Sequence, residues 1–374
     1  MKQVITFLLV MILLGGACTF AGETNNEKPK VQLAILLDTS GSMSGLITQA
    51  KTQLWKIVNE FITAERSGKR PELKVALYEY GKNSIPASEG YIRMILPLTD
   101  DLDKVSEELF ALKTNGSQEY CGQVIKAATE SLAWSTGKDD LKVIVIAGNE
   151  PFTQGKIDYR TACKAAAAKG IIVNTIHCGS YAQGVSGKWQ DGALLADGKY
   201  LHIDHNAKVV HIAAPQDKDI AKLGAEINKT YIPYGSSGKT GAANQVVQDR
   251  NASTVGSGSA VQRMVTKSSG YYNNAGWDLV DATRNKKVEL EKLKEKDLPE
   301  KMQKMSLAER KAYVKTQAEA RVKIQNKIKK LNDKRKKYVA KKRKELAKGG
   351  ENTLDTVMIK AVREQAVSKN FKFK

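Results

Sequence analysis

The sequence predicts an α/β fold: a doubly wound, mostly parallel six-stranded sheet, followed by a mainly α-helical C-terminal region. Three observations carry this expectation. Short apolar runs alternate with amphipathic helical patterns from Val31 to about Tyr234, the order that parallel β/α units require. Most of these runs are apolar at nearly every position, which marks strands covered on both faces. The charge is also segregated. Of a formal net charge of +20, roughly four fifths falls between Arg284 and Lys348, so the basic character belongs to a distinct helical segment.

Residues 1–21 read as a secretory signal peptide, with Lys2, an apolar run from Val4 to Leu14 and small residues after it. Cleavage is expected after Ala17 or Ala21. Acylation at Cys18 is the less favoured alternative, because Gly15 sits where a bulky aliphatic residue is expected. The protein is therefore expected to be exported: periplasmic, envelope-associated or extracellular. Residues 22–30 form a polar linker.

Val31–Asp38 is the first strand, and a helix from Gly45 to about Arg66 follows, with Leu46, Ala50, Leu54, Ile57, Val58 and Phe61 on one face and Gln49, Lys51, Lys56 and Glu60 on the other. Strands are expected at 72–80 and 91–98, the second at an edge because of Pro97. Thr99 is expected to cap a helix over 100–113 whose first turn is acidic. The polar loop 113–120 leads to a helix over 121–134. Strands at 141–147, 171–178 and 200–204 alternate with helices at 159–169 and 187–196, and a helix over 217–231 closes the domain, which spans 31–235.

Asp38, Ser40 and Ser42 stand at i, i+2 and i+4 on a Gly-containing loop at the first strand's carboxyl end. That spacing can turn one carboxylate and two hydroxyls towards a common point, the oxygen-rich arrangement preferred by a hard divalent cation such as Mg2+. This DxSxS loop, set between a buried strand and an amphipathic helix, resembles the first metal-binding loop of the von Willebrand factor A family. The resemblance covers roughly Val31 to Tyr234. It implies a Rossmann-like sheet with a metal-ion-dependent adhesion site, in which Mg2+, or Mn2+ or Ca2+, keeps one position open for an acidic residue of a protein partner.

The resemblance also implies a hydroxyl from a second loop and an acid from a third. Ser117, in the NGS that stands where the family has Gly-Gly-Thr, is the candidate hydroxyl, with Thr114 as the alternative. In the third loop the chain departs from the family. Ala147, Gly148 and Asn149 replace Thr-Asp-Gly, so Glu150 or Asn149 is left to reach the metal. Fewer acids imply weaker cation affinity unless one of them does.

No enzyme framework appears. His202, Asp204 and His205 are close in sequence, but alternate residues on a strand face opposite sides, so His205 leaves the face of the other two. There is no HExxH zinc motif, P-loop, nucleophile elbow or Ser/His/Asp order. Cys178, beside His177, reads as a packed thiol. Beyond Cys18, the odd set Cys121, Cys163 and Cys178 allows one disulfide with one free thiol, or three reduced thiols.

Residues 236–283 read as a Gly/Ser/Asn-rich linker containing an aromatic docking segment, Tyr271, Tyr272 and Trp277 with Leu279 and Val280. Residues 284–374 form the basic helical region. A charged helix over 286–296 is broken at Leu298-Pro299, and Ser306 with Glu309 forms a capping box for a helix reaching about Lys348. Ile324, Ile328, Leu331 and Tyr338 make a heptad seam that Arg335 and Lys342 interrupt, which argues against a sustained coiled coil. After Gly349-Gly350, a last helix over 353–367 is expected to fold back on the Ile324–Leu331 stripe as a helical hairpin.

The function expected is that of an exported, non-enzymatic binding or adhesion protein gripping an acidic group of a protein partner through a cation. The alternative is a metal-independent envelope scaffold with a vestigial site. The basic helices read either as a solvated face whose Lys and Arg keep the chain soluble or, more sharply, as a surface for an anionic membrane or an acidic envelope polymer. Nucleic acid is disfavoured, since aromatic stacking residues are scarce among the lysines.

Overall fold

The computed structural model describes residues 27–207, 211–346 and 354–373. The signal peptide of 1–21 with Cys18, most of the 22–30 linker and the Gly349-Gly350 break lie outside these residues.

The first strand, β1 (Lys30–Asp38), is buried along almost its whole length and takes the centre of a six-stranded sheet. In chain order there follow α1 (Ser44–Glu60), β2 (Ala64–Glu65), β3 (Glu72–Tyr80), β4 (Ile92–Thr99), α2 (Leu102–Ala111) and α3 (Cys121–Ser131). Then come β5 (Leu141–Gly148), α4 (Tyr159–Ala168), β6 (Ile172–Cys178), α5 (Tyr181–Ser186), α6 (Trp189–Leu194) and β7 (Tyr200–Ile203). The sheet order is β4-β3-β1-β5-β6-β7, parallel except for β4, which pairs antiparallel with β3 at the edge. Pro97 is tolerated there because an edge strand has one row of backbone groups unpaired.

Alternation along the strands splits the core into two layers. Leu33, Leu37, Val75 and Val143 pack beneath α1 and α2, whereas Ala34, Leu36, Tyr78 and Ile144 pack beneath α3 and α4. The central strands end at one rim, where open parallel sheets hold their ligands. Asp101 rather than Thr99 caps α2, its side chain accepting from the Lys104 N–H at 2.9 Å. Cys121, Cys163 and Cys178 are three free, buried thiols. Among the described residues no helix is long and apolar enough to cross a membrane.

Beyond the sheet lie α7 (Asp217–Asn228), α8 (Gly238–Thr254), α9 (Ser257–Lys267), α10 (Leu279–Arg284), α11 (Glu300–Gln303), α12 (Leu307–Leu346) and α13 (Leu354–Ser368). The stretch 236–283 is thus largely helical, not a solvated linker. Its composition conceals this because α8 buries polar groups. Gln248 accepts from the Ser106 hydroxyl at 2.8 Å, and Gln245 donates to the Tyr272 hydroxyl at 3.0 Å. Arg263, fully buried on α9, pairs with Asp103 at 2.7 Å and stacks on Trp55. Tyr271 donates to the Phe61 carbonyl at 2.9 Å and Tyr272 to Asp103 at 2.6 Å.

Two further expectations are corrected. Residues 286–296 form two short 3-10 turns rather than a helix, and Leu290 is drawn into an apolar cluster with Val280, Met302 and Val314. The helical hairpin does not form. The Ile324–Leu331 stripe packs instead on Ile220, Val261 and Val265 of α7 and α9. The interrupting Arg335 is accommodated by Asp217, at 2.7 Å. The last helix, α13, packs on the polar face of α1. Lys56 meets Asp355, Arg363 meets Glu60 at 2.7 Å, and Gln49 accepts from the Leu354 N–H at 3.0 Å. β8 (Lys372–Phe373) then pairs antiparallel with β2; the helix expected over 45–66 stops at Glu60, and a 3-10 turn over 61–63 leads into β2. The capping box at α12 is present, with Ser306 N–H donating to Glu309 at 2.7 Å and the Glu309 N–H to the Ser306 hydroxyl at 3.3 Å.

Candidate metal centre

Asp38 is the last residue of β1 and is fully buried, because the strand's own burial extends to its carboxyl end. Its Oδ1 accepts the Ser40 N–H at 2.7 Å, which turns the loop. The Ser40 and Ser42 hydroxyls come within 3.4 Å of each other, and Ser42 Oγ lies 3.4 Å from Asn149 Oδ1. The first and third loops therefore converge through their oxygens. Backbone bonds tie the second loop to the first: Gly41 N–H donates to Gly116 at 3.0 Å and Asn115 N–H to Thr39 at 2.9 Å.

The other candidates stand further from this cluster. Ser117 is exposed, its N–H donating to Asn83 Oδ1 at 3.3 Å, and Thr114 is half-buried. Among the described residues no hydrogen bond joins either hydroxyl to the first loop. The Glu150 carbonyl accepts from Trp189 Nε1 at 2.8 Å, while its carboxylate acts on Asp38 by charge. His177 Nε2 lies 3.1 Å from the Asn149 carbonyl and so braces the third loop.

Glu119 is the residue that sequence reasoning missed. It is buried, and an ideal Cβ at Gly81 would meet Asp38 Oδ1, Glu119 Cγ and Ser40 Cβ at 2.9, 3.2 and 3.5 Å, so these three side chains surround one point. Its signal in the sequence is that it is the sole acid in the 113–120 loop. Asp38 Oδ2 and Glu119 Oε2 are both buried without a hydrogen-bond partner among the described residues. Burial pushes the Asp38 carboxyl up to about 7. The Ser40 N–H and hydroxyl oppose the rise, and the charges of Glu119 and Glu150 add to it. Burial likewise raises Glu119, against its own backbone N–H and the Ser40 hydroxyl.

The absent third-loop acid has a steric cause. A Cβ at Gly148 would lie 2.5 Å from the Tyr80 hydroxyl and 3.0 Å from Asp38 Oδ2. That hydroxyl donates to the Ala147 carbonyl at 2.9 Å and fills the space a side chain would need. Gly148→Ala is accordingly expected to lose on the order of 1–3 kcal/mol in urea unfolding, and Tyr80→Phe in the same chain should return part of the loss. Equal stability of Gly148→Ala and wild type would show that the loop yields freely.

All these donors are hard oxygens, two of them carboxylate oxygens in need of positive charge, and they suit a hard dication. Among the described residues no cluster of three or more His, Cys, Asp or Glu is poised to hold a metal, so any such site relies on hydroxyl and amide oxygens as well.

The family model for the von Willebrand factor type A domain matches residues 32–187. No curated protein is significantly similar to the chain. Similar solved structures include the SpRpn10 VWA domain, 18% identical over 49% of this chain and 100% of that one, with a TM-score of 0.36. Conserved hypothetical protein BatB from Bacteroides thetaiotaomicron is 18% identical over 60% of this chain and 98% of that one, with a TM-score of 0.35. Proximal thread matrix protein 1 from the mussel byssus, with a zinc-occupied MIDAS motif, is 12% identical over 47% of this chain, with a TM-score of 0.36. The chain covers 42% of that mussel protein's length. Domains of the matched type usually mediate protein–protein interaction or adhesion. The family match, falling on the doubly wound sheet that carries Asp38, Ser40 and Ser42, shows that this chain contains a von Willebrand factor type A domain over residues 32–187.

Proposed function

We propose that the protein is a non-enzymatic binding protein whose rim holds a divalent cation, Mg2+ or Mn2+, and through it an acidic residue of a protein partner. Asp38, Ser40, Ser42 and Asn149 are the proposed ligands, with Glu119 supplying the second negative charge in place of the acid missing at Gly148. The observation that carries this reading is the pair of buried, unpartnered carboxylate oxygens, Asp38 Oδ2 and Glu119 Oε2. Such groups are costly to bury without a compensating charge. A bound dication would supply that charge and an open position for the partner's carboxylate. Ser40 orients Asp38, Ser42 and Asn149 line the exposed side, and His177 holds the Asn149 backbone. In this reading the protein acts outside the cytoplasm, as the leader-like residues 1–21 suggest.

Calorimetric titration with Mg2+ and Mn2+ tests the site. Wild type is expected to bind, Asp38→Ala to lose binding, and Glu119→Gln to weaken it by about tenfold or more. Undiminished heats in both variants would move the cation away from this site, and no heat in wild type would favour the metal-independent scaffold. Partner capture from the native envelope with and without chelator then tests the adhesion step.

A further inference from the structure

The C-terminal half of α12 carries a charge pattern that its packing leaves unused. A lysine stands at alternating steps of four and three residues from Lys323 through Lys327, Lys330, Lys334, Lys337 and Lys341 to Lys344, and all are exposed. Steps of four and three keep residues on one face of a helix. The row therefore runs about 32 Å along the helix, with a lysine about every 5 Å along the axis, winding slowly round it by about 20° per heptad. The apolar seam beside it is already consumed, since Ile324, Ile328 and Leu331 pack on α7 and α9 and Arg335 pairs with Asp217. Lys329, Lys336 and Arg343, also exposed, extend the basic surface onto the adjoining face.

A face serving only solubility would intersperse acids at i, i+4, as Lys126 and Glu130 do at 2.7 Å on α3. Between Lys323 and Lys344 the one acid is Asp333. Among the described residues none of the seven lysines pairs with a carboxylate; Lys342, off the row, meets Glu345 at 2.7 Å. Neighbouring lysines therefore repel one another along the face, and a partner of opposite charge relieves that repulsion.

We propose that this row binds an extended, linear polyanion laid along α12, with one anionic group per repeat unit. Three features select that partner. The lysine row is evenly spaced along the helix, matching a regular chain. The charge continues onto a second helix face, which a flat bilayer cannot touch at the same time as the first. The lysine row itself carries no apolar wedge to enter a membrane and no aromatic ring to stack on a base. Lysine is a point charge without bidentate geometry, so the recognition is of charge spacing rather than of one anion's shape. This surface acts independently of the cation site proposed above.

The test uses the whole protein and polygalacturonate, which bears one carboxylate per sugar, with affinity followed across a sodium chloride series. Two triple variants lose equal charge: Lys330→Gln, Lys334→Gln and Lys337→Gln in the row, and Lys138→Gln, Lys156→Gln and Lys164→Gln on exposed sites elsewhere. Wild type is expected to bind with a steep salt slope that chelator leaves unchanged. The row variant should lower the log–log slope by about 2 to 3, and the control variant by less than 1. Circular dichroism of both variants should match wild type, since every altered side chain is exposed. Equal losses in the two variants, or no binding by wild type at low salt, would overturn the proposal. So would tighter binding at matched salt to vesicles containing anionic phospholipid, or to single-stranded DNA, than to the polymer.

Discussion

Asp38→Asn is expected to make the cation-free protein more stable at pH 8 while abolishing its stabilisation by Mg2+. The carboxyl sits at about 7 in the folded protein because of burial, against 3.8 when free. Between about pH 4 and pH 7 the folded state therefore holds a proton that the unfolded chain has released. The stability that this proton provides is fully present below about pH 4 and is lost as pH rises through about 7. The loss by pH 8 is about 4 kcal/mol, at 1.36 kcal/mol per pH unit of difference between the two states. Asparagine keeps the Oδ1 acceptor for the Ser40 N–H and never ionises, so it escapes the loss. Its advantage should be largest at pH 8 and vanish near pH 4. Mg2+ at 100 times its dissociation constant should stabilise wild type by about 2.7 kcal/mol and the variant not at all. Proton and cation compete for Asp38, so cation affinity should fall about tenfold per pH unit below 7. Urea unfolding at pH 5 and pH 8, with and without Mg2+, reads all of this. A variant that responds to Mg2+ like wild type would remove Asp38 from the site.

Arg321→Ala should destabilise the protein by about 3–5 kcal/mol, the cost of stripping one partner from a buried ion network. Arg321 reaches from α12 to Asp278 at 2.7 Å and Asp281 at 3.0 Å, donates to the Thr230 carbonyl at 2.7 Å, and stacks on the Tyr231 ring. All four partners lie outside α12, so this side chain ties the long helix to the rest of the fold, alongside the Ile324–Leu331 stripe and the Arg335–Asp217 pair. Without it the buried Asp278 has no guanidinium partner, and its neighbour Asp281 keeps only the half-exposed Arg284, at 2.8 Å. Burial already raises Asp281 above the ordinary carboxylate range, so one of the pair should take up a proton and the defect should shrink at low pH. Urea unfolding at pH 7 and pH 4.5 reads the size of the loss and its pH dependence. A loss below 1 kcal/mol would mean that the apolar contacts around Val280, Met302 and Val314 hold the helix without the ion network.

The strands were legible because their signal is local. Val31–Asp38, Glu72–Tyr80 and Leu141–Ala147 each read as buried from their own residues, and β4 was placed at an edge by Pro97 alone. Asp38, Ser40 and Ser42 were legible for the same reason, since one loop holds all three. Asn149 could be paired with them through topology, because parallel strands bring successive loops to one rim. Glu119 could not, since its burial depends on Gly81, Asp38 and Ser40 arriving from two other segments. The polar helix α8 escaped for a related reason: Gln245 and Gln248 become core residues only through hydroxyls contributed by Tyr272 and Ser106.

By itself, then, the sequence determined the sheet, the oxygen-bearing loop at its rim and the basic character of the C-terminal helical region, because hydrophobic period, turn chemistry and charge are written in consecutive residues. Tertiary structure alone decided the rest. It placed α13 on the polar face of α1, put Glu119 beside Asp38 and let the Tyr80 hydroxyl close the space at Gly148. Each of these rests on polar groups or close contacts supplied by distant parts of the chain, and a buried polar group is stable only where its partner happens to lie.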